Sequence, residues 1–214
     1  AAGRGSRMKS LTSDKPKGLI KIKNKSLIEL QISILRACNI NEIAIVTGYK
    51  RELLVFKDTT EIYNKNWLNT NMVYSLICAK EWIENSRFIV SYSDIFYEQI
   101  SIKLLKENKH PICITYDQNW LELWSKRFKD PLSDAETFKI DKSSNLIEIG
   151  QKPYSNDTIE GQYMGLLKFE PKGWKEFNKV FNNLMPKNDE ISMTEMLQHI
   201  IEHNKVNINC EKNI

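Results

Sequence analysis

The residue types with the clearest chemistry stand at the head of the chain, in Ala1-Ala2-Gly3-Arg4-Gly5-Ser6-Arg7-Met8, and a little further on in Asp14-Lys15-Pro16-Lys17. Glycines on either side of Arg4 let the backbone approach a polyphosphate without a Cβ in the way and turn N–H groups inward. Arg7 adds a planar fork of donors matched to phosphate oxygens. Pro16 stiffens the segment that delivers Lys17, whose ammonium is a compact charge on a long stem. A Gly-x-Gly pair by itself is an ordinary turn. Gly-x-Gly-x-Arg with a Pro-Lys following is far more particular, and it is suited to holding phosphate.

Other residues have types suited to chemistry. Asp94 closes Tyr92-Ser93-Asp94, just beyond the apolar run Phe88-Ile89-Val90. A position past the carboxyl end of a buried strand is where an α/β enzyme gathers its reacting groups. The carboxylate suits Mg²⁺ beside a triphosphate, and it also suits the cap of a following helix. Trp120 and Trp124 stand with Arg127, Asp134 and Glu136 in a short span of both charge signs. That span suits a substrate carrying phosphate and ammonium together, although tryptophans at helical spacing also read as core. His199 and His203 share a helix face, but no Glu lies between them as in a His-Glu-x-x-His zinc site, and His110 stands apart. A solvated helix face is the better reading of that pair.

The glycine loop with Pro16-Lys17 resembles the triphosphate-binding stretch of the sugar-nucleotide pyrophosphorylase superfamily. The resemblance continues through Asn71-Met72-Val73-Tyr74-Ser75, Tyr92-Ser93-Asp94 and Gly150-Gln151-Lys152-Pro153. The span Trp120 to Thr137, together with Gly161-Gln162-Tyr163-Met164-Gly165, narrows it. The chain looks like the bacterial phosphocholine cytidylyltransferase group, which includes a relative that activates phosphoglutamine with CTP for capsule decoration.

The resemblance implies that a nucleoside triphosphate meets Ala2, Gly3, Gly5, Ser6, Arg7, Lys17, Asn71, Tyr74 and Ser75. It implies Mg²⁺ on Asp94, with Arg7, Lys17 and Lys152 as the cations of the reaction. A small phosphorylated acceptor would meet Trp120, Trp124, Arg127, Asp134, Glu136 and Gln162. Asn71 also reads as a helix cap, and Lys152 as a surface lysine. The implied reaction is attack of an acceptor phosphate oxygen on the α-phosphorus of CTP, with pyrophosphate leaving. The choice of CTP rests on the resemblance alone. A sugar 1-phosphate acceptor, or a nucleotide-binding domain without turnover, are the alternatives. A dinucleotide-binding oxidoreductase is not, because Met8 stands where the third glycine of Gly-x-Gly-x-x-Gly belongs.

The elements that must position these residues follow from spacing. Ser26 and Glu29 form a capping box opening a helix with Leu27, Leu30, Ile34 and Cys38 on one face. Asn39-Ile40-Asn41 ends it, and Ile43 to Gly48 reads as a buried strand. Tyr49 to Asp58 reads as a short helix, Thr59 to Tyr63 as an edge strand, and the segment through Leu76 to Ile83 as a helix. A buried strand from Phe88 to Tyr92, a helix from Glu98 to Lys106 and a strand from Ile112 to Tyr116 continue the rhythm. Two short strands, Thr137–Ile140 and Leu146–Ile149, form a hairpin. A strand from Gly161 to Phe169, a helix opened by Pro171, a second capping box at Ser192–Glu195 and a strand from Val206 complete the chain. Helix, short turn and apolar strand in alternation predict a three-layer α/β/α fold with a mixed, mainly parallel sheet; the resemblance implies that it is of the Rossmann-like, nucleotide-diphospho-sugar transferase type.

The bulk numbers bound the function. The chain of 214 residues is 41% hydrophobic and 27% charged, with a net charge of +4. This is ordinary for one globular domain and too mild for binding nucleic acid by backbone electrostatics. No apolar run approaches the length of a membrane span. Cys38, Cys78, Cys113 and Cys210 form no Cys-x-x-Cys, and read as buried free thiols of a cytoplasmic protein. A homodimer is compatible with the resemblance. In relatives a buried strand precedes the glycine loop, and an acidic Trp-x-Glu-Ile-Asp-like segment after the last strand supplies a second metal ligand. The expectation is therefore one nucleotidyltransferase domain over 1–214, truncated at both ends, that binds CTP weakly and turns over little.

Overall fold

Ser26 and Glu29 make the reciprocal cap that their spacing requires. The Ser26 hydroxyl accepts from the Glu29 N–H, and the Glu29 carboxylate takes the Ser26 N–H at 2.7 Å, opening α1 (Leu27–Ala37). Asn39 leaves the helix in left-handed backbone at φ 59°, a conformation asparagine tolerates at a helix stop. The buried face of α1 is Leu27, Ile28, Gln31 and Ile32, so Leu30 and Ile34 lie at its half-buried margin rather than at its centre.

A computed structural model describes residues 1–184, 190–203 and 206–213, apart from the side chains of Ser6, Arg7 and Lys9. The chain forms two units that interleave along the sequence. One takes Ala1–Glu84, Ser91–Lys103 and the described part of Met185–Ser192; the other takes Asn85–Val90, Leu104–Leu184 and the described part of Met193–Ile214.

In the first unit a short antiparallel pair, β1 (Lys21–Ile22) and β2 (Lys25–Ser26), leads into α1. Then β3 (Ala44–Thr47) pairs in parallel with β4 (Thr60–Tyr63). Ile28 and Ile32 of the helix pack on Ile43, Ile45 and Leu54, the apolar core of this unit's βα layer. The helix expected over residues 49–58 is a single 3₁₀ turn, Arg51–Leu53, entered through Lys50 at φ 46°. Leu54 is buried while Leu53 and Val55 are exposed, so no apolar stripe exists to hold a helix there. The helix expected through Leu76–Ile83 is two pieces, α2 (Met72–Ile77) and α3 (Lys80–Ile83), with α2 starting directly at its Asn71 cap.

Next in the chain are β5 (Phe88–Ser91) and α4 (Gln99–Glu107). The second unit adds β6 (Ile112–Asp117), α5 (Trp120–Arg127), β7 (Phe138–Ile140), β8 (Leu146–Ile149) and β9 (Gln162–Phe169). It ends in α6 (Pro171–Leu184), α7 (Met193–Glu202) and β10 (Ile208–Lys212). Its sheet runs β10-β6-β9-β5, parallel between β10 and β6 and antiparallel between β6 and β9, so the sheet is mixed. Strand β6 is buried from Ile112 to Tyr116, as an interior strand should be. Strand β5 stands at the end of the order and is half-buried, although its apolar run suggests full burial. An edge strand is covered from one side only. Hairpin β7–β8 turns where expected, with Asp141 Oδ1 accepting from the N–H groups of Ser143 and Asn145.

Phe88, Phe169, Trp174 and Phe177 pack ring on ring beneath α6. Lys168 is fully buried in β9, and its ammonium donates to the His110 carbonyl at 2.6 Å and to Glu170, which Arg87 also grips at 2.7 Å. All four cysteines are free; three are buried, Cys78 is half-buried, and burial pushes the Cys113 thiol up to about 12. No described helix is long and apolar enough to cross a membrane.

Candidate active site

The glycine loop folds back on itself, and its two glycines do different things. Gly5 is left-handed at φ 73°, and its carbonyl accepts from the Met8 N–H at 3.0 Å and the Thr12 hydroxyl at 3.1 Å. A Cβ on Gly5 would lie 3.0 Å from Lys17 Cβ, so this glycine also makes room for the lysine stem. A Cβ on Gly3 would meet nothing within 4 Å. Gly3 therefore leaves its backbone open to solvent, while Gly5 shapes the loop. Ala2 is buried, and its carbonyl accepts from the Tyr49 N–H at 2.8 Å. The Tyr49 hydroxyl donates to the Ser13 carbonyl at 2.6 Å, and the Arg4 guanidinium lies 5.8 Å from the Tyr49 ring centre. One residue at the carboxyl end of β3 thus holds both ends of the loop. The side chains of Ser6 and Arg7 lie outside the described residues.

Lys17 and Asp94, 77 positions apart, meet. The Lys17 ammonium donates to Asp94 Oδ2 at 2.6 Å, with each side chain about one-third exposed (34% and 30%). Close packing brings them together. A Cβ on Gly18 would lie 2.7 Å from Ile28 Cδ1 and 2.9 Å from the Ser93 carbonyl, so the Lys17-Gly18 backbone runs tight against the turn that follows β5. Asp94 faces Lys17 rather than capping α4. Its Oδ1 has no hydrogen-bond partner among the described residues. That donor set fits a hard cation taking one carboxylate oxygen from the protein and the rest from phosphate and water. Among the described residues no three His, Cys, Asp or Glu side chains gather. His199 has Glu202 at 3.5 Å, and its ring centre is 6.5 Å from that of His203.

Asn71, Tyr74 and Ser75 lie on or beside α2 and are tied to the loop before it. The Asn71 Oδ1 caps α2 at 2.8 Å, and its amide donates to the Glu190 carbonyl at 3.1 Å. Fully buried Asn64 donates to both Thr70 and Ser75 hydroxyls, and Asn66 donates to the Tyr74 hydroxyl. The Tyr92 hydroxyl reaches Met72 Sδ at 2.7 Å, joining the start of α2 to the Asp94 turn.

The second unit holds the other candidates. Trp120 is 3% exposed, packs with Ala135 and Ile159, and donates to the Ile159 carbonyl at 3.4 Å. It is a packing residue with no ring face open to solvent. Trp124 is half-buried, and its indole N–H has no partner among the described residues. The exposed Arg127 guanidinium lies 5.3 Å from the Trp124 ring centre and 5.1 Å from that of Phe128. Gln162 grips the backbone of Glu136, donating to its carbonyl at 2.6 Å and accepting its N–H at 3.3 Å. Burial holds the Glu136 carboxyl above its ordinary pKa; Glu195 and Asp134 add to the rise, and the Thr194 hydroxyl opposes it. Lys152 is exposed on the segment after β8, and Asp134 is exposed after the 3₁₀ turn Pro131–Ser133.

Sequence reasoning missed Tyr49, Gln31 and Gly18. Tyr49 had a signal, since it follows a strand of a parallel pair at the carboxyl end where ligands are met. Gln31 had one too, as a polar residue on the apolar face of α1.

A parallel βα layer, a glycine loop opening on bare backbone, and an ammonium–carboxylate pair beside it are the parts of a nucleotide-handling site. Residues 1–143 match the MobA-like NTP transferase domain. A CTP:phosphoglutamine cytidylyltransferase from Campylobacter jejuni subsp. jejuni serotype O:2 is 38% identical, over 94% of this chain and 86% of that protein. Among solved structures, the inositol-1-phosphate CTP transferase from T. maritima aligns over 99% of this chain and 82% of its own at 16% identity, with a TM-score of 0.74. The CTP:phosphocholine cytidylyltransferase from Streptococcus pneumoniae aligns over 100% and 87% at 17% identity, with a TM-score of 0.67. The chain belongs to the MobA-like NTP transferase domain family. It is a nucleotidyltransferase with the nucleotide-diphospho-sugar transferase fold, related to cytidylyltransferases.

Proposed function

We propose that the chain condenses CTP with a small phosphorylated acceptor, phosphoglutamine before phosphocholine, and releases pyrophosphate. The observation that carries this reading is the Lys17–Asp94 pair seated against the glycine loop, in a chain so similar to a cytidylyltransferase over nearly its whole length. An acceptor phosphate oxygen attacks the α-phosphorus of CTP in line, and the bond to the α–β bridging oxygen breaks. The nucleophile is already an anion, so no strong base is needed. Bare backbone at Gly3 receives the triphosphate, and the ammonium of Lys17, with the guanidinium of Arg7, offsets charge that builds on the leaving pyrophosphate. Mg²⁺, held by Asp94, would supply further neutralisation of the phosphate charge. The chain acts as one nucleotidyltransferase domain in the cytoplasm, and the CDP-linked product suits decoration of a cell-surface polysaccharide.

Phosphoglutamine is preferred on account of Arg127. Its guanidinium already covers the Trp124 ring, so that face is taken by a cation. The exposed guanidinium, near both the Trp124 and Phe128 rings, keeps N–H donors for an anion, which an amino-acid carboxylate supplies and choline does not. Replacing Trp124 by Leu should raise the acceptor KM about tenfold or more, the scale of one lost oriented contact, and leave the CTP KM nearly unchanged. Equal rises in both would make the tryptophan core packing.

A pyrophosphate-release screen tests the whole reading: four nucleoside triphosphates against phosphoglutamine, phosphocholine, aminoethylphosphonate and sugar 1-phosphates. Turnover confined to a sugar 1-phosphate, or to a nucleoside triphosphate other than CTP, would overturn it. Gly5→Ala is a further check. Left-handed backbone costs an L-residue roughly 1–2 kcal/mol, and the new methyl presses on Lys17. The CTP KM should rise while the acceptor KM holds.

A further inference from the structure

We propose that Gln31 is the positioning residue for Asp94, the residue that sets the carboxylate on which transfer depends; this rests on the nucleotidyltransferase reading above. Gln31 sits on the buried face of α1 between Ile28 and Ile32, and is 7% exposed. Its side-chain amide nitrogen donates to the Tyr92 carbonyl at 2.9 Å and to the Ile95 carbonyl at 2.7 Å. An amide nitrogen has two hydrogens, and each goes to one of these carbonyls. The two carbonyls bracket Ser93-Asp94, so one side chain pins the turn on both sides of the carboxylate. On another side the turn is closed by Gly18, whose missing Cβ admits the Ser93 carbonyl.

The amide is costly at this place unless its bonds to the turn matter. A leucine or methionine would suit the apolar face beside Ile28 and Ile32, whereas a buried amide is tolerated only when its polar atoms are partnered. Both donor bonds reach across more than sixty residues to one turn, and neither serves α1 itself. The helix that carries Gln31 is fixed by the Ser26–Glu29 cap and by the core around Ile28, Ile32 and Ile45. The core thus sets Gln31, Gln31 sets the turn, and the turn presents Asp94 to Lys17. Both donor bonds of the Gln31 amide go to the turn, so in this reading it acts through Asp94.

The test is a double-mutant cycle in the full chain. Gln31→Met, near in size but without donors, should lower kcat by about 10–100-fold, the scale for losing a group that orients a metal ligand. In an Asp94→Asn background the same change should cost less than about threefold, because there is no carboxylate left to aim. Equal losses in both backgrounds, or an unchanged kcat in Gln31→Met alone, would overturn the proposal. Should Gln31→Met fail to fold, Gln31→Leu, which also lacks donors and suits the apolar face beside Ile28 and Ile32, is read by the same cycle. Amide hydrogen exchange supplies an arm that needs no turnover. Exchange across residues 92–96 should speed up in the variant while that of α1 holds; unchanged exchange there counts against Gln31. A parent enzyme that turns over another nucleoside triphosphate and not CTP would sink the functional reading and leave this arm to decide the positioning.

Discussion

Replacing Lys17 by alanine should lower kcat for pyrophosphate release by at least ~10²-fold, the usual scale for removing one preorganised charge from a transition state. The ammonium is aimed before substrate arrives. Gly5 receives its stem, Gly18 presses its backbone against Ser93, and Asp94 takes its charge at 2.6 Å. Little reorganisation is then needed when charge develops on the departing phosphates. Lys17→Met separates the two contributions, since it keeps the stem against Gly5 and removes the charge. It should be nearly as slow as the alanine variant. Lys17→Arg should not restore the parent rate, because a planar fork does not replace a point charge in a slot shaped by a missing Cβ. A kcat for Lys17→Ala within threefold of the parent, at saturating CTP and acceptor, would remove Lys17 from the reaction.

Asp94→Asn should be of similar size in kcat, ~10²-fold or more on the same scale, and opposite in its effect on the nucleotide alone. The change removes a negative charge beside the place where a triphosphate lies and frees Lys17 from its partner. CTP binding without divalent cation should therefore stay the same or tighten in Asp94→Asn, whereas Lys17→Ala should weaken it. Adding Mg²⁺ should then strengthen CTP binding in the parent and do little in Asp94→Asn. Calorimetric titration of CTP, with chelator and with Mg²⁺, reads both signs. If the two variants weaken metal-free binding alike, the pair is a structural ion pair and not a divided phosphate and metal site.

Much of this was legible in the residues. The capping box at Ser26–Glu29 is a local pattern and folds as read, because both of its partners lie within one helical turn. The β7–β8 hairpin and the helix from Pro171 are legible for the same reason. The short helix read over residues 49–58 fails for a non-local reason. Tyr49 is drawn to Ala2 and Ser13, and Lys50 turns left-handed, so the backbone serves the loop rather than a helix. Trp120 and Trp124 show the limit of residue type. Both suit an aromatic site at helical spacing, yet one is sealed against Ile159 and the other lies under Arg127.

By itself the sequence determined the alternation of helices and strands, the glycine loop with its lysine, and a carboxylate past the end of a strand. Each depends on neighbours a few positions away, where composition and spacing act directly. Only the tertiary structure decided what those groups do together. That Gly5 makes room for Lys17, that Gly18 closes on Ser93, that Tyr49 ties residues 2 and 13, and that Gln31 brackets Asp94 are contacts set by packing, some across tens of residues. No local pattern encodes such distances. They follow from Ile28 and Ile32 docking on Ile43 and Ile45, which seats the helix and, through Gln31, the turn that holds the carboxylate.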